Sequence, residues 1–146
     1  MKFRLSALIL WCGLYTASVA SANSQGELMV SGSLSLSNDK LIEKAKGIRT
    51  LFLVVYNPES KMPMPYGAQK VDLEKDASGN FYNFEITTTS IRTMGGNAVL
   101  PTKLKVKARL DKDGSAGMDQ PGDIIGMSGV VAKGSKNIKI VLDQGK

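Results

Sequence analysis

The sequence has no histidine, and its single cysteine is Cys12. Without an imidazole, and with its only thiol inside an apolar leader, the chain lacks the groups for a His/Cys zinc site, a Cys/His nucleophile or a Ser-His-Asp triad. It has no Cys-x-x-Cys-His motif, so haem is not held covalently in the usual way. Neither an enzyme nor a cofactor is expected. Long apolar runs are missing too: Leu5–Tyr15 is well short of the roughly 20 residues a membrane helix needs. No internal repeat is visible, and no helical hairpins of the tetratricopeptide kind.

Basic Lys2 and Arg4, the apolar run to Tyr15 and the small residues that follow to Ala20-Ser21-Ala22 make a secretory signal peptide over 1–22, with cleavage expected after Ala22. Cys12 leaves with it. Losing Lys2 and Arg4 takes the bases from 19 to 17 against 13 acids, a net +4 in place of +6. An excess of this size speaks for solubility, not for nucleic acid as a partner. The expected location is the periplasm, with no stable membrane span once the leader is removed. Residues 23–26 form a polar lead-in, and 27–143 suffice for one domain.

Within that domain the pattern is mostly period two, the spacing of a strand with one buried face. Leu28, Val30, Leu34 and Leu36 alternate with Met29, Ser31, Ser33 and Ser35, and Gly32 suggests a bulge. Asn38-Asp39 caps a short helix over Lys40–Lys46 that Gly47 ends, with Leu41, Ile42 and Ala45 leaning on the sheet. Thr50–Tyr56 is apolar without alternation, which marks a central strand. Tyr66–Glu74 and Phe81–Thr87, separated by the turn residues Asp76–Asn80, read as an antiparallel hairpin. Thr88–Arg92 extends that pair or crosses between sheets. Lys103–Asp111 alternates without a fault, Leu104, Val106, Ala108 and Leu110 inward and Lys103, Lys105, Lys107 and Arg109 toward solvent. Asp111–Gly114 turns the chain, and Ser128–Val131 and Asn137–Asp143 supply the last strands. About seven strands and one short helix describe an all-β, antiparallel β-sandwich, with an open barrel as the alternative.

Three constellations carry functional possibilities. The basic face of Lys103–Arg109 spans about 20 Å, enough to hold an acidic segment or lipid headgroups, although such lysines commonly serve as a solvated face that discourages edge pairing. Asp111, Asp113, Asp119 and Asp123 invite calcium, but the EF-hand positions for glycine and the bidentate glutamate hold Ala116 and Gly122. Met62 and Met64 form a Met-x-Met pair of the kind that selects Cu(I), each followed by a proline, Pro63 and Pro65, which fix an extended, exposed backbone.

In order and spacing, Val30-Ser31-Gly32, Thr50-Leu51-Phe52, Met64-Pro65, Val106–Arg109, Lys112–Ala116 and Gln120–Gly126 resemble the immunoglobulin-like domain at the C-terminal end of the CycH/CcmI family of cytochrome c biogenesis proteins. The resemblance runs from about Gly26 to Asp143. It implies a periplasmic domain that assists c-type cytochrome maturation by binding apocytochrome c or an assembly component. The family's tetratricopeptide part and membrane helices have no counterpart here. The residues expected to meet a partner are Met62, Pro63, Met64, Pro65 and Tyr66, together with Lys103, Lys105, Lys107, Arg109, Asp113, Gln120 and Asp123. Two other functions remain open: Cu(I) handling through Met62 and Met64, and a structural role in envelope assembly.

Overall fold

Alternating apolar residues can bury one face of a strand only against a second layer, and here two sheets provide it for each other. The computed structural model describes residues 26–62, 64–96 and 98–146. The leader over 1–22 with Cys12, and also Pro63, lie outside the described residues. In chain order the elements are β1 (Leu28–Leu36), α1 (Asp39–Ala45), β2 (Thr50–Tyr56), β3 (Pro65–Asp72), β4 (Asn80–Thr87) and β5 (Arg92–Thr93). Then follow β6 (Lys103–Asp111), β7 (Ile124–Met127), β8 (Val131–Ala132), β9 (Ser135–Leu142) and β10 (Gln144–Gly145). One sheet runs β4-β1-β9; the other runs β10-β7-β6-β2-β3-β5, with β8 beside β6. Leu34, Phe84, Ile86, Ile140 and Leu142 of the first meet Leu51, Leu53, Val55, Leu104, Val106 and Leu110 of the second in a single core. The fold is thus the expected all-β sandwich, with seven strands of four residues or more and one helix among the described residues. No helix among the described residues is long and apolar enough to cross a membrane.

The helix forms for the reasons its sequence gives. Asn38 Oδ1 accepts the amide of Leu41 at 3.0 Å, and Gly47 takes the left-handed φ of +79° that ends the turn. Two turns are marginal alone, so burial of Leu41 and Ala45, with roughly 2 kcal/mol from the leucine, holds α1 on the core.

Several expectations need correction. Tyr66–Glu74 and Phe81–Thr87 are not a hairpin: β3 pairs with β2, β4 pairs with β1, and the turn between them crosses from one sheet to the other. The sandwich is not wholly antiparallel, because β1 and β9 run parallel. Met29 is fully buried rather than outward. An extra residue in β1 between Leu28 and Val30 turns Met29 and Val30 both inward, as a bulge does. The strand expected at Ser128–Val131 is split: β7 lies earlier, at Ile124–Met127, residues 128–130 are not strand, and the two-residue β8 begins only at Val131. Ser128 closes that ladder, its Oγ accepting the Val106 amide at 2.9 Å.

Other expectations stand. Thr88–Arg92 crosses between the sheets, and β2 occupies the interior of the larger one, paired on both sides over its whole length. Gly32 is not the bulge expected there, since it stays in register with Phe84; it has to be glycine because a Cβ would lie 2.0 Å from the Ile138 carbonyl oxygen of β9. Where the layers meet, a Cβ on Gly126 would lie 2.3 Å from the Val141 carbonyl oxygen. Beyond Leu142 the chain leaves β9 and joins the other sheet as β10, the Asp143 amide donating to Ile125 at 3.1 Å.

Candidate functional site

The outward face of β6 is where sequence and structure part most sharply. Lys103 is exposed and pairs with Glu59 at 3.4 Å, as a solvated lysine would, and Lys105 is half-buried. Arg109 is only 4% exposed. The chain from Asp111 to Asp123 folds back over it, which alternation alone does not reveal. Its Nη1 donates to the Gly117 carbonyl at 2.7 Å and to Asp119 Oδ1 at 3.2 Å, and Nη2 donates to the Ser115 carbonyl at 3.4 Å. Asp111 Oδ2 lies 3.0 Å from Nη2, an ion pair without hydrogen-bond alignment, and Asp123 Oδ2 lies 3.9 Å from Nε. Arg109 Cζ also stands 5.0 Å from the centre of the Phe52 ring. One fork-shaped cation therefore gathers three carboxylates and two carbonyls, the geometry for which arginine suits better than lysine.

The surrounding acids are occupied in the same way. Both oxygens of Asp119 accept from Lys107 Nζ at 2.7 Å. Asp123, buried, takes the amides of Lys112 at 3.0 Å and Gln120 at 2.8 Å. Ser115 N donates to Asp113 Oδ1 at 2.8 Å and to Asp111 Oδ1 at 3.2 Å, and Gly114 has φ +72° in the turn. Burial pushes the Asp111 carboxyl above its usual range, helped by its hydrogen bond with Asp113 and the charge of Asp123, while Arg109 opposes. The Asp113 carboxyl falls below the usual range through the Ser115 amide and the Asp111 hydrogen bond. For Asp119, burial works upward, but hydrogen bonds and charge from Lys107 and Arg109 outweigh it and leave the carboxyl low. These four aspartates are spent on Arg109, Lys107 and backbone amides. Among the described residues no group of three or more carboxylates is placed to hold a metal ion.

The clamp fixes the loop 115–119 above β2, and that loop forms one wall of a groove of about 290 Å³. Phe52, Val54 and Tyr56 make the floor. Ala116, Gly117, Met118 and Asp119 rise on the β6 side, and Pro65, Ala68 and Met94 on the β3 side. Two stretches distant in sequence and each expected to meet a partner thus contribute to one depression, the first through Pro65 and the second through Arg109 and the loop Ala116–Asp119. Met62 and Met64 are exposed, Pro65 and Tyr66 half-buried, and Met94 is tied to this segment by its amide, which donates to the Tyr66 carbonyl at 2.9 Å. Asp113 and Gln120 are exposed and shape the loop through their backbone neighbours, away from the groove lining.

Sequence reasoning did not find Phe52, Val54, Tyr56, Met94 or Met118. The available signal was the unbroken apolarity of Thr50–Tyr56, which marks a central strand and leaves open what covers each face. One face is core. The other is the floor of an open groove. Comparison of the chain with family models, with curated proteins and with solved structures gave no match.

Proposed function

We propose that this chain is a non-catalytic, exported β-sandwich that binds another periplasmic protein at the groove over β2, in the service of c-type cytochrome maturation. The observation that carries the reading is the convergence of the Pro65 segment and the Arg109-clamped loop on an apolar floor. An apolar depression with a few fixed polar groups is the usual form of a binding site, and methionine rims adapt to varied side chains. Met118 is 85% exposed and Met94 46%, an arrangement that costs a monomer apolar surface in water unless something covers it.

The resemblance adds a physical point in its favour. Val106–Arg109, Lys112–Ala116 and Gln120–Gly126, three of its carriers, are the segments that build the clamp. They hold the loop in place, so their spacing serves the groove. The assignment to cytochrome maturation rests on the resemblance alone, and the site carries only the protein-binding part.

A photo-cross-linking residue at Met118, with one at Val141 on the other sheet as control, tests both parts in intact cells. The expected product at Met118 is an adduct with apocytochrome c or a cytochrome assembly component, absent at Val141. Equal labelling at the two positions removes the groove from the account. Recovery of only unrelated proteins at Met118 removes the cytochrome assignment.

A further inference from the structure

We infer that the groove over β2 is made for an acidic amphipathic peptide segment, whose apolar side chains lie on Phe52, Val54 and Tyr56 and whose carboxylates reach Lys105 and Arg92. This rests on the protein-binding reading above and adds the chemistry of the partner. The argument comes from register. Residues directly opposite on neighbouring strands share a face with their Cβ atoms about 5 Å apart. Lys105 is opposite Tyr56, and Arg92 is opposite Ala68, so each cation stands beside a residue that lines the groove.

Their neighbours are already spoken for. Lys107 is bound to Asp119, Arg109 to three aspartates, Lys103 to Glu59 and Lys70 to Asp72. Among the described residues Lys105 and Arg92 form no ion pair. The one carboxylate in the groove lining, Asp119, has both oxygens on Lys107. The depression therefore presents an apolar floor with uncompensated positive charge at two places and no free negative charge. A complementary segment is apolar along its middle and acidic toward its sides.

The dimensions agree. β6 and β3 flank β2 at about 4.8 Å each, so the floor is roughly 10 Å wide, and Lys105 and Arg92, three strand spacings apart and offset by two residues along the strands, are about 16 Å apart at the backbone. Two separated cations suit two carboxylates on one segment better than a single phosphate. Both backbone edges of β2 are consumed by β3 and β6, so the occupant docks through side chains and not by adding a strand.

The test uses two synthetic peptides identical in their leucines and phenylalanines, one with glutamates at the polar positions and one with lysines. Binding to the mature chain is followed by the methionine methyl resonances and by fluorescence anisotropy. The glutamate peptide is expected to bind, to shift Met94 and Met118, and to lose affinity roughly tenfold in the double variant Arg92→Glu, Lys105→Glu. The milder pair Arg92→Gln, Lys105→Gln, checked for an unchanged melt, gives the same direction with a smaller loss. Equal binding of the two peptides, no binding of either, affinity unaffected by the variants, or preference for phosphatidylglycerol vesicles over the glutamate peptide each overturns the inference. If Met118 cross-links to a partner protein while the peptides show no charge preference, protein binding survives and the acidic partner does not.

Discussion

Arg109 Cζ lies 5.0 Å from the centroid of the Phe52 ring, and the two residues are register partners across β6 and β2. A cation on an aromatic face is attracted by the ring's quadrupole, and the attraction grows as water is excluded. The ring thereby links two things: the clamp that fixes the loop 115–119, and the floor of the groove that the loop borders. A change at Arg109 is felt in both.

Replacing Arg109 with leucine leaves Asp111 and Asp123, each no more than 2% exposed, without their buried counter-charge. The expected loss is about 3–5 kcal/mol in urea unfolding. Arg109→Lys keeps a charge but not the fork that reaches the Gly117 and Ser115 carbonyls, so it loses less, though measurably. A leucine variant as stable as the parent would show that the cluster holds nothing together.

Falling and rising pH act on different aspartates of the same loop. A carboxyl held low in the folded state, as Asp119 is, contributes stability that is present above the ordinary value of 3.8 and is lost as pH falls through the lower folded value. Asp111 has the opposite sign. Its folded carboxyl is raised, so its contribution declines as pH rises from 3.8 through the folded value. Stability measured against pH should therefore find Asp119→Asn losing to the parent above 3.8, with the gap closing in acid. The difference between Asp111→Asn and the parent should move in favour of the variant as pH rises. Parallel curves for all three proteins would contradict both shifts.

The close approaches at Gly32 and Gly126 are made to backbone, which has little room to yield. Gly32→Ala and Gly126→Ala should each cost at least the roughly 1–3 kcal/mol of an overpacked core. Gly129, with nothing within 4 Å of an added Cβ, is the control and should melt within a degree or two of the parent. Thermal unfolding separates the two cases.

Met118→Ser should leave stability within about 0.5 kcal/mol of the parent, because the side chain is 85% exposed. The same change should weaken capture of the partner by the groove, read by pull-down at equal protein concentration. Full retention of capture would mean that the Met118 rim is not part of the contact.

Much of the sandwich is legible in its alternation. β6 places Leu104, Val106, Ala108 and Leu110 in the core as period two requires, and Thr50–Tyr56 matches β2 residue for residue. What alternation does not encode is the neighbour of each strand. The turn-rich Asp76–Asn80 looks the same whether it closes a hairpin or carries the chain to another sheet, and here it does the second. Nor does it encode what covers an outward face. Arg109 stands on the polar side of its strand, yet three aspartates two to fourteen residues downstream return over it. Three of the four acids that prompt a calcium motif are instead its counter-ions, and the fourth, Asp113, accepts the Ser115 amide. Their number near one arginine was the signal for the clamp.

A three-stranded layer with one buried face has little hold of its own, and this one shares its outermost strand's continuation with the opposite layer through Asp143. The tail is a seam. Tension applied to it is borne by both sheets at once, so the halves of the molecule resist being prised apart and come undone together.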